Sequence, residues 1–403
     1  MVALLLSPVY ILLNVYAVRR ILQWVSAFPL SAAAGRWCKG LLIVLYALPA
    51  VSPALAYALP ASAFQWWVGR ISAAWLGCLF YLLLLLAVAD GSAWGIRRHF
   101  RGRWDAARKN RILRRGGALC AAAVIAVCGY GFWHAQEITV VQRPVSVWKT
   151  CPAQKSLRIA LISDLHFGYS VGLRQAQRMV DTVNAQNPDL ICIAGDVFDN
   201  AYSAIEDPAQ LSEILSGFRS PYGTYACYGN HDVSERLLAG FSFGGAGKVS
   251  KQRMDAILTD AGIHLLRDET VLVDGKFYLS GRRDRTKPGV SEGRLDAETL
   301  LSGVDRNLPV FVLDHQPSDL AALAQAGADL VLSGHTHNGQ LFPGNLLIQP
   351  FCENPYGVLQ KGEMTSVVTS GAGVWGPAMR VGTNCEVVVV EVSFLPSGLQ
   401  ATG

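Results

Sequence analysis

The first third of the sequence almost lacks acidic residues. Residues 1–135 carry fourteen Lys and Arg but only two acids, Asp90 and Asp105, which leaves 21 basic and 28 acidic residues for the rest of the chain. The net charge of +5 therefore combines a positive first third with a negative remainder. Because the positive charge lies beside apolar segments, we do not expect the later, acidic part to bind nucleic acid.

Charged side chains are also missing from four apolar stretches of this first third, which are residues 2–17, 41–59, 71–89 and 117–134. Each stretch approaches the about 20 residues that a helix needs to cross a bilayer, and a buried helix of a soluble protein rarely stays uncharged for so long. Pro49 and Pro53 lie inside the second stretch, where neighbouring helices can accommodate them. We therefore predict an α-helical bundle of four transmembrane spans, a membrane domain, over residues 1–135.

Two basic loops determine the predicted orientation of these spans. Residues 18–40 contain four Lys and Arg, and residues 90–116 contain nine. Loops of this kind stay on the cytoplasmic side of a membrane. We therefore expect a multi-pass protein of the cytoplasmic (inner) membrane whose chain after about residue 135 lies on the outer (periplasmic or extracellular) face. A solvated basic face or an RNA-binding arm is the alternative interpretation of residues 90–116.

A change of pattern at residue 157 predicts a globular domain over residues 157–395. Residues 136–156 predict an extended linker, and residues 396–403 a tail. In between, short apolar runs alternate with amphipathic segments, which is typical of an α/β fold. Asp274 and Gly275 predict a hairpin turn between strands at 270–273 and 276–279. A further strand pair is predicted at 364–369 and 385–394, and helices are predicted at about 172–186, 207–218, 251–261 and 318–326.

The nine cysteines reveal little about the redox compartment. Cys192 and Cys227 lie inside strand-like runs, where cysteine behaves as a small buried hydrophobic residue. A disulfide among Cys151, Cys352 and Cys385 requires that the domain face an oxidising compartment, and the sequence leaves this question open.

Five apolar, strand-like runs of the globular domain end at residues of one chemical kind. The carboxyl ends of strands in α/β sheets are where ligands bind, so we expect these side chains to converge. A single residue of this kind is usually a turn or capping residue, whereas five such endings together predict a site. The endings are Asp164 and His166; Asp196 and Asp199; Asn230, His231 and Asp232; Asp314 and His315; and His335 and His337.

The chemistry of this set predicts a metal centre. Imidazole and carboxylate groups without thiolates suit Mn, Fe or Zn better than Mg or Ca. Seven candidate ligands are too many for one catalytic ion, and they suit two divalent ions about 3.5–4 Å apart that share a carboxylate. Gly195, Gly229 and Gly334 allow sharp turns and a close approach of the backbone to these ions.

The order of these motifs resembles that of the calcineurin-like metallophosphoesterase family. The series is Asp-x-His, Gly-Asp-x-x-Asp, Gly-Asn-His-Asp, a lone His and Gly-His-x-His, and it covers about residues 155–395. The Gly-His-Thr-His-x-Gly-Gln form and the multi-span front are similar to the membrane-bound bacterial branch of that family. The resemblance implies a metallophosphoesterase-type β-sandwich flanked by helices. Asn338 and Cys385 depart from the pattern, since Gly and Pro respectively are common there.

The resemblance also implies a role for each site residue. His231 would stabilise phosphate charge or protonate the leaving oxygen, and Asp199 and Asp232 would orient their neighbours. Asp196 would bridge two metal ions. The ligands of the first ion would be Asp164, His166 and His337, and those of the second would be Asn230, His315 and His335.

The implied activity is that of a metal-dependent phosphoesterase at the membrane surface. A hydroxide that bridges the two metals would attack phosphorus in line with the ester oxygen, without a covalent enzyme intermediate. The expected partners are a lipid bilayer and a phosphate-ester substrate, lipid-linked or of the nucleotide type. A pyrophosphatase acting on a nucleotide-linked lipid and a non-catalytic membrane scaffold are the alternatives. Arg282 and Arg283, with Arg285, are candidates for binding the substrate phosphate.

Overall fold

The computed structural model describes residues 2–100, 105–233, 235, 237–238, 241–242, 248–289, 291 and 293–396. The described residues fall into two compact units. The first lies within Met1–Trp133, Arg236–Gly244 and Gly376–Met379, and the second lies within His134–Glu235, Gly245–Trp375 and Arg380–Gly403.

The first unit is built mainly from four helices, which are α1 (Val2–Ser26), α2 (Ala32–Ala58), α3 (Ala63–Phe100) and α4 (Ala106–His134). Among the residues searched, three helical segments are long and apolar enough to cross a membrane: Ala32–Ala58, Ala63–Ile96 and Ala106–His134. The structure thus provides three of the four predicted spans. The remaining one, residues 2–17, falls within α1, whose first side chains lie outside the described part, and it stays a prediction.

Polar groups within these helices find partners, and apolar side chains remain exposed. Asp90 of α3, one of the two acids of this region, forms an ion pair with Arg20 and accepts a hydrogen bond from the Tyr16 hydroxyl at 2.8 Å. Leu119 and Ile125 of α4 are each 73% exposed. Exposed apolar side chains on long helices are those that face lipid in a membrane protein.

The second unit contains two six-stranded sheets. The first consists of β1 (Ile138–Val147), β2 (Ser156–Ile162), β3 (Leu190–Ala194), β4 (Thr224–Cys227), β7 (His264–Leu265) and β14 (Cys385–Phe394). Its strand order is β1-β14-β2-β3-β4-β7. The second consists of β8 (Glu269–Val273), β9 (Phe277–Gly281), β10 (Val310–Leu313), β11 (Leu330–Ser333), β12 (Gly357–Lys361) and β13 (Met364–Val368). Its strand order is β12-β13-β11-β10-β9-β8.

Alternate residues of these strands form the core between the sheets. Leu157, Ile159 and Leu161 of β2 belong to one buried cluster, which also contains Phe311 and Leu332 of the second sheet. A period of two places these side chains on one face of each strand. The two sheets therefore pack face to face, and the predicted β-sandwich is confirmed.

Helices cover the outer face of the second sheet. Val310, Val312 and Val331 point away from the inter-sheet core and pack with Leu320 and Leu323. The helices of this unit are α5 (Leu173–Asn184), α6 (Pro208–Leu215), α7 (Lys248–Asp260), α8 (Ala297–Leu300), α9 (Leu320–Ala326) and α10 (Gly344–Leu347). Short 3₁₀ helices occupy Tyr202–Ala204, His337–Gly339 and Gln349–Phe351, and the two-residue strands β5 (Leu237–Leu238) and β6 (Phe241–Ser242) pair with each other.

Two predictions about strands need correction. The predicted linker contains β1, which pairs in parallel with β14 at the edge of the first sheet. The predicted pair 364–369 and 385–394 consists of two strands, β13 and β14, but they belong to different sheets, and β13 pairs with β11 and β12. The hairpin at Asp274 and Gly275 is confirmed, because β8 and β9 are antiparallel around it.

Candidate metal centre

The loops that follow five strands bring the predicted ligands together. Three of these strands, β2, β3 and β4, are parallel neighbours in the first sheet, and the other two, β10 and β11, are parallel neighbours in the second. Parallel neighbours end at the same edge of a sheet, so their carboxyl-terminal loops can line one site. The order of the strands therefore allows the residues that follow these five strands to lie close together, as predicted.

The first group of possible ligands contains Asp164, His166 and His337. One ligand atom from each residue lies within 4.8 Å of the others, and all three side chains are buried. His337 Nε2 lies 3.1 Å from His166 Nε2 and 3.3 Å from Asp164 Oδ1. These are the three residues that the family resemblance assigns to the first metal.

The second group contains Asp196, His315 and His335, again with one ligand atom of each within 4.8 Å of the others. Asp196 Oδ2 lies 3.0 Å from His315 Nε2, and His335 Nδ1 lies 3.3 Å from the same nitrogen. Asp196 Oδ2 is also 3.7 Å from His166 Nε2 of the first group. This carboxylate therefore stands between the two groups, as the predicted bridging ligand should.

Two observations indicate that the residues of these groups, together with Asn230, could hold divalent metal ions. Ring nitrogens and carboxylate oxygens are crowded together in a buried space, and buried charges of this kind require a counter-charge or coordination. The carbonyl oxygen of the Asn230 side chain is buried without a hydrogen-bond partner among the described residues. A buried amide oxygen normally has a partner, so Asn230 is available as a ligand. The donor set of imidazole, carboxylate and amide oxygen suits Mn, Fe or Zn.

The backbone is strained at the ligand positions. Asp164, His166 and Asp196 have φ values of 53°, 47° and 51°, and His335 and His337 have φ values of 73° and 49°. Residues other than glycine seldom adopt this left-handed region, and strain of this kind concentrates at functional sites. Asn338 has a φ of 49° as well, and Asn is one of the few residues other than glycine that adopt this region readily.

All three of the predicted glycines are required by close approach. A Cβ atom at Gly334 would collide with the Ser163 hydroxyl and the Asp164 carboxylate, a Cβ atom at Gly229 with the Asp196 carboxylate, and a Cβ atom at Gly195 with the His315 ring. These glycines therefore let the backbone pass close to the candidate ligand side chains, and its approach to metal ions stays a prediction.

Hydrogen bonds from neighbouring groups hold the ligands in place. His315 Nδ1 donates to the carbonyl oxygen of Ala194 at 2.8 Å, which leaves Nε2 free to bind a metal. The backbone N–H of His335 donates to the Asp164 carboxylate, at 3.0 Å from Oδ2. The backbone N–H of His231 donates to Asp196 Oδ1 at 2.7 Å. The loops after β4 and β11 are therefore each tied to a candidate ligand that another loop supplies.

Asp232, for which the resemblance implies an orienting role, bonds to two loops. Its buried carboxylate accepts hydrogen bonds from the backbone N–H groups of Phe198 and Gly229, both at 2.8 Å. The bond from Phe198 joins the loop after β3 to the loop after β4, and the bond from Gly229 lies within the loop after β4. Burial raises the pKa of Asp232 to about 7, and the nearby Asp196 carboxylate adds to this increase.

The electrostatics of the centre are dominated by burial and by the Asp196 carboxylate. Burial by itself would raise the pKa of Asp196, but the His315 and His231 imidazoles outweigh it and keep this pKa well below its usual value. Burial would lower the pKa of His315, but the Asp196 carboxylate outweighs it and raises this pKa well above normal. Burial lowers the pKa of His335 to about 4, and the neighbouring His315 strengthens the effect.

His231 and Asp199, the two predicted catalytic residues, lie beside the first group. The three side chains His166, Asp199 and His231 each offer an atom within 4.8 Å of the others. His231 Nδ1 contacts the side-chain oxygen of Asn200, and Asp199 Oδ1 lies 3.7 Å from His166 Nδ1. The indole ring of Trp375 lies 5.7 Å from the His231 ring. His231 thus has one ring nitrogen fixed by Asn200 and the other available for a ligand.

The structure does not support the predicted substrate-binding role of Arg282 and Arg283. Arg282 is 2% exposed and donates to the buried carboxylate of Asp314 at 2.9 Å. Arg283 lies 3.6 Å from the Asp268 carboxylate and donates to the carbonyl oxygen of Pro288. Arg282 is therefore part of a buried ion pair behind the centre, because Asp314 precedes the ligand His315 and needs a cationic partner.

Arg380 is a site residue that the sequence interpretation missed. Its guanidinium is fully buried and donates to three backbone carbonyl oxygens, those of Ser370 at 2.6 Å, Gly373 at 2.8 Å and the ligand His337 at 2.9 Å. One signal could have found it, since Arg380 is the only charged residue between Glu363 and Glu386. Asn200, which holds His231, carries no comparable signal.

The fold and the site together define an α/β sandwich protein with a candidate metal centre, and comparison with known proteins specifies its family. The family profile for calcineurin-like phosphoesterases matches residues 157–339. The chain is 30% identical to a transmembrane protein with metallophosphoesterase domain from Bos taurus over 346 residues, which is 80% of this chain and 73% of the bovine protein. The chain therefore belongs to the calcineurin-like metallophosphoesterase family.

Two further relatives show how far the similarity extends. The chain is 34% identical to a transmembrane protein with metallophosphoesterase domain from Danio rerio over 288 residues, which is 67% of this chain. It is 29% identical to an uncharacterized metallophosphoesterase from Campylobacter jejuni over 245 residues, or 59% of this chain. Each of these two alignments covers 60% of the relative's own length. Together with the three apolar helices, the transmembrane relatives indicate a membrane protein.

Proposed function

We propose that this protein hydrolyses a phosphate ester at a membrane surface with the help of two divalent metal ions. The observation that carries the proposal is the position of Asp196, whose carboxylate stands between His166 of the first ligand group and His315 of the second. One ion would be held by Asp164, His166 and His337. The other would be held by Asn230, His315 and His335, and Asp196 would serve both.

The metal ions, when bound, would activate water at neutral pH and neutralise charge on the phosphoryl oxygens. The side chains of this protein position and complement that chemistry. His231 contacts Asn200 through Nδ1, so its Nε2 is the atom available to the phosphoryl group or the leaving oxygen. Asp199 lies 3.9 Å from His231 Nδ1 and can hold the ring in place. Buried donors of this kind stabilise charge that develops during the reaction.

Our proposal for the location follows the predicted topology. We propose that α1 supplies a fourth span, that the basic loops are cytoplasmic, and that the catalytic domain lies on the outer face of the cytoplasmic membrane. A lipid bilayer is then a permanent neighbour of the catalytic domain, which favours a lipid-linked phosphate ester over a freely diffusing one. A reporter fused after residue 403 should be active outside the cytoplasm. Activity only in the cytoplasm would overturn this topology.

Hydrolysis of simple esters tests the chemistry. The full-length protein, purified with Mn²⁺, should hydrolyse p-nitrophenyl phosphate or its bis-p-nitrophenyl diester, and the diester-to-monoester ratio will show which ester class it prefers. An Asp196→Asn variant has the same volume but lacks the shared negative charge, so it should lose both activity and bound metal. If the wild type cleaves neither ester and the variant retains as much metal, the two-metal proposal is wrong. A scaffold without catalytic function would give the first of these results.

A further inference from the structure

An uncharged segment follows the last metal ligand directly. Residues 338–352 contain no Asp, Glu, Lys or Arg. Within this stretch, residues 341–351 form what we call the apolar segment, which includes α10 and the 3₁₀ helix Gln349–Phe351. The segment begins four residues after His337, so its position relative to the metal centre is fixed by a short piece of chain.

The apolar segment presents large hydrophobic side chains to solvent. Leu346 is 61% exposed, Leu347 is 63% exposed and Phe351 is 82% exposed. They are the most exposed large hydrophobic side chains in the described part of the second unit, and Phe342 of the same segment is 45% exposed. Single exposed hydrophobic residues are ordinary, but several within ten residues mark a surface that binds something apolar.

The backbone of the segment is held in a defined shape. The N–H groups of Leu346, Ile348 and Phe351 donate to carbonyl oxygens within the segment at 2.9–3.0 Å. Because these groups are satisfied internally, the segment can enter an apolar medium without exposing unpaired backbone donors there. At its start, the N–H of Phe342 donates to the Val381 carbonyl oxygen at 2.8 Å, which ties the segment to the loop of Arg380.

The Gln340 side chain adds a second connection to the centre. Its carboxamide accepts from the backbone N–H of Trp375 and donates to the Trp375 carbonyl oxygen, both at 2.9 Å. Trp375 in turn lies beside His231, with ring centroids 5.7 Å apart. The residues that lead into the apolar segment therefore include the candidate ligand His337 and also Gln340, which is bonded to Trp375 beside His231.

A lipid bilayer is an apolar medium that lies close to this protein if its long apolar helices cross a membrane. Three helical segments of the same chain have the length and hydropathy of membrane spans, so the second unit always works within reach of a bilayer. Leu346 and Leu347 of α10 and Phe351 of the following 3₁₀ helix expose apolar area with no charged residue beside it in the segment. Binding to the interfacial region of a membrane strengthens as more apolar area is buried there. These observations favour lipid over a protein partner as the occupant of this surface.

We propose that the apolar segment inserts its leucines and phenylalanine into the bilayer surface beside the metal centre. A phosphate group at the level of lipid headgroups would then be presented to His231 and the metal ligands without leaving the membrane. The substrate class that follows is a phosphate ester carried by a lipid, and this second conclusion rests on the proposed phosphoesterase function.

Spin labels on the full-length protein in phosphatidylcholine nanodiscs test the insertion. The label is placed by Leu347→Cys, or at the control position by Leu272→Cys, after the accessible native cysteines have been replaced by serine. Leu272 is 47% exposed and lies on β8, at the edge of the second sheet opposite β12. The label at position 347 should collide more with oxygen than with a water-soluble nickel chelate, and the label at 272 should show the reverse. An aqueous pattern at 347, or shielding from both reagents by protein, would overturn the proposal.

Two ways of presenting a phosphate ester test the substrate class. The triple variant Leu346→Ser, Leu347→Ser, Phe351→Ser is compared with wild type and with Leu272→Ser. The substrates are p-nitrophenyl esters in solution and dioleoyl phosphatidic acid or phosphatidylglycerol in nanodiscs. The triple variant should keep its rate on the soluble esters and lose at least about tenfold on the lipids, since burying even one such side chain is worth about a factor of ten.

The outcomes of this comparison separate the two proposals. A wild type that cleaves the soluble esters but neither lipid, or a triple variant that is equally active on both, would refute the lipid substrate while leaving the phosphoesterase intact. Absence of all hydrolysis by the wild type would refute the phosphoesterase itself, and the spin-label result would still decide whether the segment enters the bilayer.

Discussion

Replacing Arg380 by lysine removes a donor network while preserving a positive charge. The Arg380 guanidinium satisfies the carbonyl oxygens of His337, Ser370 and Gly373 at 2.6–2.9 Å, in a fully buried position. Nη2 of Arg380 donates to the Ser370 and Gly373 carbonyl oxygens, whereas Nη1 donates to that of His337. The single nitrogen of a lysine ammonium cannot occupy both positions of this planar fork. We therefore expect at least one of these carbonyl oxygens to lose its donor.

The cost can be estimated from the number of unsatisfied groups. A buried polar group without a partner costs about 1–3 kcal/mol. This is a substantial fraction of the total stability of a typical domain, which is about 5–15 kcal/mol. For a domain of this size, even the lower value should reduce the midpoint of thermal unfolding by at least about 2 °C.

The same change should weaken metal binding, because Arg380 holds the backbone of the ligand His337. Loss of a residue that orients a ligand typically lowers metal affinity or activity about 10–100-fold. The assay is metal content by mass spectrometry together with hydrolysis of bis-p-nitrophenyl phosphate, measured well below the unfolding midpoint. Arg306→Lys is the matched control, since Arg306 is exposed and precedes the amino-terminal end of β10, whereas the site is formed by loops at the carboxyl-terminal ends of the strands. If Arg380→Lys binds metal as tightly as wild type does, Arg380 has no positioning role.

Three other expectations follow from the structure. Chelation of the metal should lower the thermal midpoint, because a ligand that binds only the folded state stabilises it, and the Asp196→Asn variant should show a smaller decrease in the same scan. Asn230→Ala removes a buried oxygen that has no hydrogen-bond partner in the described part of the chain, so it should reduce bound metal without destabilising the metal-free protein, and equal metal content by mass spectrometry would contradict this. Gly334→Ala places a methyl group against Asp164 and the Ser163 hydroxyl, so it should abolish activity and lower the thermal midpoint, whereas Gly303→Ala, with open space around it, should do neither.

Much of the site could be predicted, because each candidate ligand can be recognised from the residues directly before it in the sequence. Each ligand follows directly after a short apolar run, and such runs form strands whose carboxyl ends face one another in a sheet. The loops after β2 and β3 therefore had to bring Asp164 and Asp196 together if those strands were parallel neighbours, which they are. The hairpin at Asp274 and Gly275 was predictable for the same reason, since a turn depends on two residues.

The pairing of strands was harder to predict from the sequence. The pattern of apolar residues in a strand indicates which of its side chains are buried, but it does not indicate which strand lies beside it. Residues 138–147 alternate between partly buried and exposed and contain Pro144, a pattern shared by an edge strand and an extended linker. Residues 364–368 are buried throughout, which fits a central strand of either sheet. Only the folded chain shows that the former pairs with β14 and the latter with β11.

The sequence by itself determined the kinds of ligand, their order and the apolar helices that precede them, because these depend on neighbouring residues. The tertiary structure decided what the arginines do. Arg282 and its partner Asp314 are 32 residues apart, and Arg380 and His337 are 43 apart. Whether an arginine reaches substrate or is buried beneath the site depends on which distant groups surround it, and no local pattern contains that information.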